Sequence, residues 1–220
     1  MANKKPHGYD GLLIVVEGTD GSGKSTQVNM LSQYIKDECY GCIVSEWKTS
    51  RLIANVIDEA KEKTLLNPTT FSLLYASDFA DRMENNIIPA LKAGFIVLLD
   101  RYTFTAYARD VVRGQDIEWV KNLYSYAPKP DIVFYLDMPQ DILLKRIIGT
   151  TGLDYYESGR DIGLSSDFYK SFKLYQAKLL EEYEKMLCHM KKEYLLMKKL
   201  QEKHWSQKGF SGKFRALFSE

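Results

Sequence analysis

Cysteine and proline are scarce in this 220-residue sequence, and it has no long apolar run. Three cysteines are too few for the disulfide framework of a small secreted domain. Cys39 and Cys42 stand in a C-x-x-C spacing. That spacing is open to three readings: a redox pair, half of a zinc site, or simply a helix end followed by a strand start. No second Cys/His pair at metal spacing accompanies it. The longest apolar stretches, Leu12–Val16 and Phe95–Leu99, are strand-sized and far short of the ~20 residues that span a bilayer. The opening Met1–Pro6 carries charge with no apolar segment behind it, so no signal peptide is expected and the location expected is the cytoplasm. An excess of either charge is missing too. Thirty Lys plus Arg against 29 Asp plus Glu leave +1, which makes no case for nucleic acid or another polyanion as partner.

What is present is the composition of a folded globule, 45% hydrophobic and 13% aromatic. The length suits a single domain over 1–220, its core spanning about 11–190. Strand-like apolar runs at Leu12–Glu17, Cys42–Glu46, Phe95–Asp100 and Asp131–Asp137 alternate with helical periodicity at Lys24–Asp37, Ile53–Lys63 and Thr69–Lys92. Asn67 and Pro68 suit the start of the last of these helices, and Gly94 its end. Further helices are expected over Asp116–Tyr126, over Pro139–Ile147 and from Ser165 onward, with Tyr194–Met197 as a candidate fifth strand. This alternation, with strands apolar on both faces, predicts an α/β fold: a three-layer parallel sheet of about five strands with helices on both sides. Gly149–Gly163, with four glycines among charges and tyrosines, reads as a mobile lid loop, its span about 148–163. The Lys-rich tail from Lys191 shows little pattern.

Gly18-Thr19-Asp20-Gly21-Ser22-Gly23-Lys24-Ser25 fits G-x-x-x-x-G-K-[ST] in full, between an apolar strand and a helical pattern. The chemistry of a P-loop explains the residue types. Glycines let backbone N–H groups turn onto phosphate oxygens. The helix start adds free N–H groups and its positive dipole end. Lys24 supplies a mobile charge for the β and γ phosphates, and the Ser25 hydroxyl can ligate Mg²⁺. No guanine-recognition signature (N/T-K-x-D) occurs, and the chain is short for a motor, so a kinase of small acceptors leads.

The wider run Val15–Gln27, including Thr26, resembles the opening of thymidylate kinases. Asp100-Arg101-Tyr102 after Phe95–Leu99, Leu73–Ser77, and Lys129-Pro130-Asp131 before a strand are similar to that family as well. The likeness covers Gly11–Gln176. It implies ATP-dependent phosphorylation of dTMP with Mg²⁺, small nucleotides as partners, and a homodimer, which the sequence alone leaves open. By the same resemblance, Asp20 accepts a hydrogen bond from the acceptor's 3′-hydroxyl. Asp100 is the Mg²⁺ carboxylate, with Asp137 its rival, and Arg101 bridges the two sets of phosphates. Tyr75 stacks on the acceptor base, Arg146 lies against the donor's adenine and phosphates, and Tyr156-Glu157 approaches the acceptor. Gly21 and Ser22 stand where some family members carry a basic P-loop residue, so Arg160 in the lid is the expected catalytic charge. As bare residues these also have plainer readings: Asp100-Arg101 as a strand-end ion pair, Tyr75 as core, Arg160 as a solvated loop charge.

The acceptor side departs from the family pattern. Ser45-Glu46-Trp47-Lys48-Thr49-Ser50-Arg51 replaces an Arg-Glu-Pro-like segment, and Phe79 stands where an arginine reads the thymine edge. Lys48, Arg51 or Arg82 could compensate. Thr105–Asp110 replaces a small-residue and glutamine pattern, leaving Arg109 and Asp110 to serve a different acceptor edge. Three readings follow: a dTMP kinase, a kinase of another nucleotide or small phosphate acceptor, and a non-catalytic nucleotide-gated regulator.

Overall fold

A computed structural model describes residues 6–149, 154–193 and 195–198. Strands β1 (Leu12–Gly18), β2 (Cys42–Glu46), β3 (Ile96–Asp100), β4 (Ile132–Leu136) and β5 (Leu195–Lys198) form one parallel sheet in the order β2-β3-β1-β4-β5. Every residue of β3 and β4 is buried, as expected where helices cover both faces. Side chains alternate across β1. Leu13 and Val15 enter the larger core, while Ile14 and Val16 pack with Val28, Leu31 and Ile35 of helix α1 (Lys24–Asp37) on the other face. Each fully buried Ile or Leu of this kind contributes ~1.5–3 kcal/mol. The registers Val16↔Asp100 and Gly18↔Leu136 bring the carboxyl ends of β1, β3 and β4 to one edge. β1 is central, so the chain leaving it opens onto the crevice where ligands gather in open α/β sheets.

The remaining helices are α2 (Ala54–Glu62), α3 (Pro68–Arg82), α4 (Ile88–Lys92), α5 (Thr103–Val112), α6 (Ile117–Leu123), α7 (Gln140–Gly149) and α8 (Phe168–Glu193). The stretch predicted as one helix over 69–92 is broken by a π-helical turn, Met83–Ile87, between α3 and α4. Its cause is Pro89, which has no N–H to donate back along the ladder, so the backbone shifts register to relieve the clash. Asp116 caps α6, its carboxylate accepting from the Trp119 N–H at 2.8 Å, and the helix ends sooner than its periodicity suggested. Cys39 is exposed in a left-handed turn (φ 64°) after α1, and Cys42 opens β2 half-buried; both are free thiols. Among the described residues no helix is long and apolar enough to cross a membrane. The tail beyond Lys198, unpatterned in sequence, lies outside the described residues.

Candidate active site

The loop Gly18–Gly23 leaves β1 through backbone that only glycine tolerates at its two ends. At Gly18 φ is 145°, and a Cβ would sit 2.7 Å from the Leu136 carbonyl oxygen. Gly23, at φ 92°, turns the chain into α1, whose first N–H groups have no helical partner and face the cleft. The cleft is about 440 Å³ and is bordered by the loop, Thr26, Trp47, Asp100, Arg101 and Arg146. Thr19 Oγ1 and Ser22 Oγ are buried without a partner. Lys24 is 5% exposed and folds back to donate to the Thr19 carbonyl at 2.8 Å. Burial, and next the charge of Arg101, bring its amine down to about 8. The attraction of Asp20, Asp100 and Glu17 does not offset that burial, and a phosphate in the cleft would add the negative charge that does.

Asp100, at the end of β3, accepts a 2.6 Å hydrogen bond from Ser25 Oγ through one carboxylate oxygen, and its Oδ1 is buried with no partner. Two oxygen groups side by side, one with an unspent lone pair, suit a hard divalent cation completed by phosphates and water. The donor set therefore fits Mg²⁺. No cluster of three His, Cys, Asp or Glu at metal spacing exists among the described residues. Asp137 does not border the cleft.

Arg101 follows Asp100 with φ 73°, a conformation that costs a non-glycine residue ~1–3 kcal/mol. The turn aims its guanidinium back at the loop, where it donates to the Gly18 carbonyl at 3.3 Å and to Asp20 Oδ1. Arg109 of α5 donates from Nη2 to both oxygens of the same carboxylate, at 3.2 and 2.9 Å. Burial alone would raise the Asp20 carboxyl, yet the charges of Arg101, Arg109 and Lys24 outweigh it and hold the group far below the usual range. Glu157 faces the same cluster: Asp20 and burial push its carboxyl up, while Arg109 and Lys61 pull against them. Behind the loop, Glu17 is fully buried. It accepts from the Tyr102 N–H (2.7 Å), the Thr105 N–H and hydroxyl (3.2 and 2.6 Å) and the Tyr183 hydroxyl (2.9 Å). It thereby ties β1 to the first turn of α5 and to α8, although burial raises its carboxyl.

Beyond Asp20 stands an aromatic wall. Trp47 borders the cleft, and Tyr75, 8% exposed and not itself on the lining, lies behind it between Phe71 and Trp47, at ring-centroid distances of 4.4 and 5.7 Å, where burial raises its hydroxyl to about 12. Phe79 is 1% exposed, packed against Trp47, Tyr102 and Tyr124 inside the core and absent from the cleft lining. Tyr156 is likewise internal. Its hydroxyl accepts from the Leu66 N–H at 3.0 Å, fastening this part of the segment predicted as a lid to the chain just before α3. Arg146 of α7 reaches the opposite lip of the loop, donating to the Gly21 carbonyl at 3.4 Å. Arg160 is not brought to the cleft: its guanidinium lies 4.8 Å over the Phe168 ring. Of the substitutes considered for the acceptor side, Lys48 pairs with Asp58 at 2.5 Å, Arg51 is exposed, and Arg82 is internal, 2.9 Å from Asp78.

The thymidylate kinase family model matches residues 16–202. The chain belongs to the thymidylate kinase family. Among its relatives, "Probable thymidylate kinase 2" of Saccharolobus solfataricus is 45% identical over 179 residues, 80% of this chain and 83% of that protein. "Probable thymidylate kinase" of Thermococcus kodakarensis is 33% identical over 184 residues, covering 80% and 83%. "Thymidylate kinase" of Caldanaerobacter subterraneus is 31% identical over 198 residues, covering 87% and 89%. The thymidylate kinase match begins at Val16 inside β1 and runs past β5, so it takes in the cradle, the arginine cluster, the aromatic wall and the fifth strand. Sequence reasoning passed over two structural members of this site. Glu17 and Arg113 act chiefly through side chains and carbonyls 43 to 166 residues away, as with Arg113–Tyr156, Arg113–Asp161 and Tyr183–Glu17, and local spacing does not reveal these partners. In sequence Arg109 stands as a departure from the family pattern that could serve a different acceptor edge, and Asp20 is what gives it a place.

Proposed function

We propose that the protein transfers the γ-phosphoryl group of ATP to dTMP, giving ADP and dTDP. The observation that carries this reading is the double arginine grip on Asp20 at the point where the phosphate cradle meets the aromatic wall. Arginines beside a P-loop serve hydrolysis as well as transfer, but a carboxylate held by two of them next to an aromatic surface suits an enzyme with a phosphorylated second substrate that carries a sugar and a base. Thr19, Gly21, Ser22, Gly23 and the start of α1 hold the donor's phosphates, and Arg146 covers the donor from the α7 side. Lys24, released from Thr19, follows the phosphoryl group as negative charge redistributes. Ser25 and Asp100 would hold Mg²⁺, which supplies positive charge to the β and γ phosphates when bound. Arg101 bridges donor and acceptor phosphates, and Asp20 orients the sugar hydroxyl. Tyr75 meets the base; Trp47 covers one face of Tyr75 and must yield to allow this. Phe79 and Tyr156 support the wall from within, and Arg160 has no place in the reacting cluster.

Such chemistry is alignment and charge neutralisation more than covalent work. The partners are free nucleotides in the cytoplasm and not nucleic acid, in keeping with the net charge of +1. Exposed Leu52, Leu65 and Leu73 around α2 and α3 favour a second copy as the protein partner, which light scattering would reveal as doubled mass. A second reading, a different nucleoside monophosphate as acceptor, is favoured by Trp47 against Tyr75 and by the burial of Phe79. ADP release from Mg·ATP with a panel of nucleoside monophosphates tests both. Selective turnover of dTMP is expected. Turnover of another acceptor in its place supports the second reading, and nucleotide binding with no turnover refutes both.

A further inference from the structure

A nucleoside monophosphate brings a dianion into the cleft next to a donor already rich in negative charge. The second substrate therefore needs cations of its own, placed between the cradle and the wall. The described basic residues around the site can be sorted by where their heads are committed. Lys24 folds onto the Thr19 carbonyl within the donor cradle, Lys48 is held by Asp58, Lys61 by Asp154, Arg82 by Asp78, and Arg146 sits on the Gly21 carbonyl at the donor lip. Arg160 lies over Phe168 and Arg51 is exposed. Arg113 is spent on Asp161, the Tyr175 hydroxyl and the Tyr156 carbonyl. What remains is the pair on Asp20.

Within that pair Arg109 is the less committed. Arg101 spends Nη1 on the Gly18 carbonyl and Nη2 on Asp20. Arg109 spends only Nη2, on Asp20, and its Nε and Nη1 N–H groups have no hydrogen-bond partner among the described residues. Its side chain is nonetheless 13% exposed, so these donors are fixed in a nearly enclosed place. The neighbours whose charge is felt at Arg109 are Asp20 from the loop, Tyr175 from α8, Glu157 from the segment predicted as a lid and Tyr75 from the wall. A guanidinium with spare N–H donors between the phosphate loop and the aromatic wall lies where the phosphate of an acceptor nucleotide stacked on Tyr75 has to pass. Asp20 pre-aligns it, so little rotamer freedom is lost when the anion arrives.

We propose that Arg109 is a second acceptor-phosphate ligand, acting beside Arg101 and held ready by Asp20. The proposal rests on the kinase reading above. Asp20 then has two states. In the resting enzyme it is counter-ion to both arginines. With the monoester bound, the guanidiniums share their donors with phosphate oxygens, and a carboxylate oxygen is freed for the sugar hydroxyl.

The test compares binding of dTMP with that of thymidine, which lacks the phosphate, in the wild type, Arg109→Gln and Arg109→Lys, with Mg·ATP binding measured in parallel. The wild type should bind dTMP far more tightly than thymidine. In Arg109→Gln that ratio should fall by about ten- to a hundredfold, the worth of a hydrogen bond to a charged group. Thymidine and Mg·ATP binding should stay within about twofold. Arg109→Lys keeps the charge and loses the fork, and should lie between; it also serves if the Gln variant does not fold. If thymidine or Mg·ATP binding falls as much as dTMP binding, Arg109 is a brace of the loop or wall and the proposal is wrong. A ratio unchanged in both variants overturns it equally. A wild type that gains nothing from the phosphate, and turns over no dTMP, sinks the kinase reading itself.

Discussion

Lys24 should make the ligand-free protein less stable than it would be without the charge. Its amine is drawn from 10.5 to about 8 by burial and by Arg101, against the attraction of Asp20, Asp100 and Glu17. At ~1.36 kcal/mol per pH unit, that difference places a cost of about 3 kcal/mol on the charged amine at neutral pH. Lys24→Met removes the charge and keeps most of the volume, but it leaves the Thr19 carbonyl without its 2.8 Å donor, a loss of about 1 kcal/mol. The net expectation is a gain of about 2 kcal/mol, or a Tm higher by about 4–8 °C for a domain of this size. The sign with pH follows from proton counts. Between about 8 and 10.5 the unfolded lysine holds its proton and the folded one does not, so wild-type stability should rise through that window. The variant should lack that rise. Urea unfolding at pH 7 and at pH 10, with and without Mg·ATP, reads all of this. Turnover should be abolished, and the stabilisation by Mg·ATP should shrink in the variant, because the phosphates neutralise a charge that is no longer there. A Lys24→Met protein less stable than the wild type in the absence of nucleotide would refute the reasoning.

Four further outcomes are expected. Asp100→Asn, which can keep the Ser25 contact, should lower kcat by about a hundredfold and raise the Mg²⁺ requirement, with stability changed by less than about 1 kcal/mol. Arg113→Met strands Asp161 at 4% side-chain exposure and frees the Tyr156 carbonyl and Tyr175 hydroxyl, which should cost about 3–5 kcal/mol in urea unfolding. Arg160→Ala should leave kcat within about threefold, since a partly exposed charge over one ring is worth little; a hundredfold loss in steady-state assays would restore the lid role read from the sequence. Glu17→Gln offers one acceptor oxygen to donors that now use two, and should destabilise by about 1–3 kcal/mol while lowering kcat through the Tyr102 turn.

What the sequence disclosed were the features whose causes are local. The cradle, the strands and helices whose alternation implied a parallel sheet, and the start of α3 at Pro68 depend on neighbours a few residues away. Even the weakly patterned fifth strand was visible one residue out of place, as Leu195–Lys198. The π-turn was missed because Pro89 acts back on the turn before it while the apolar period runs on unbroken. The arginines show the deeper limit. Arg82, Arg109, Arg113 and Arg160 are the same residue type in similar company, and only the three-dimensional position of Asp78, Asp20, Asp161 and Phe168 tells which is core, which grips the phosphate loop, which is a clamp and which is half-exposed over a ring. Motif spacing names the residues of a phosphate site well, and it names their counter-ions poorly.

The contact between Glu17 and Tyr183 also bears on how the molecule is made. The hydroxyl that completes the hydrogen bonding of Glu17 lies 166 residues further along the chain. At ~5–20 residues per second, roughly 8–33 s pass before that partner is made. Until then the carboxylate behind the phosphate loop is incompletely paired, and the first turn of α5 has no anchor on α8. A nascent chain halted before Tyr183 should therefore fail to retain nucleotide although its entire P-loop is already made. The ability to grip phosphate waits on α8, long after the P-loop itself has been made.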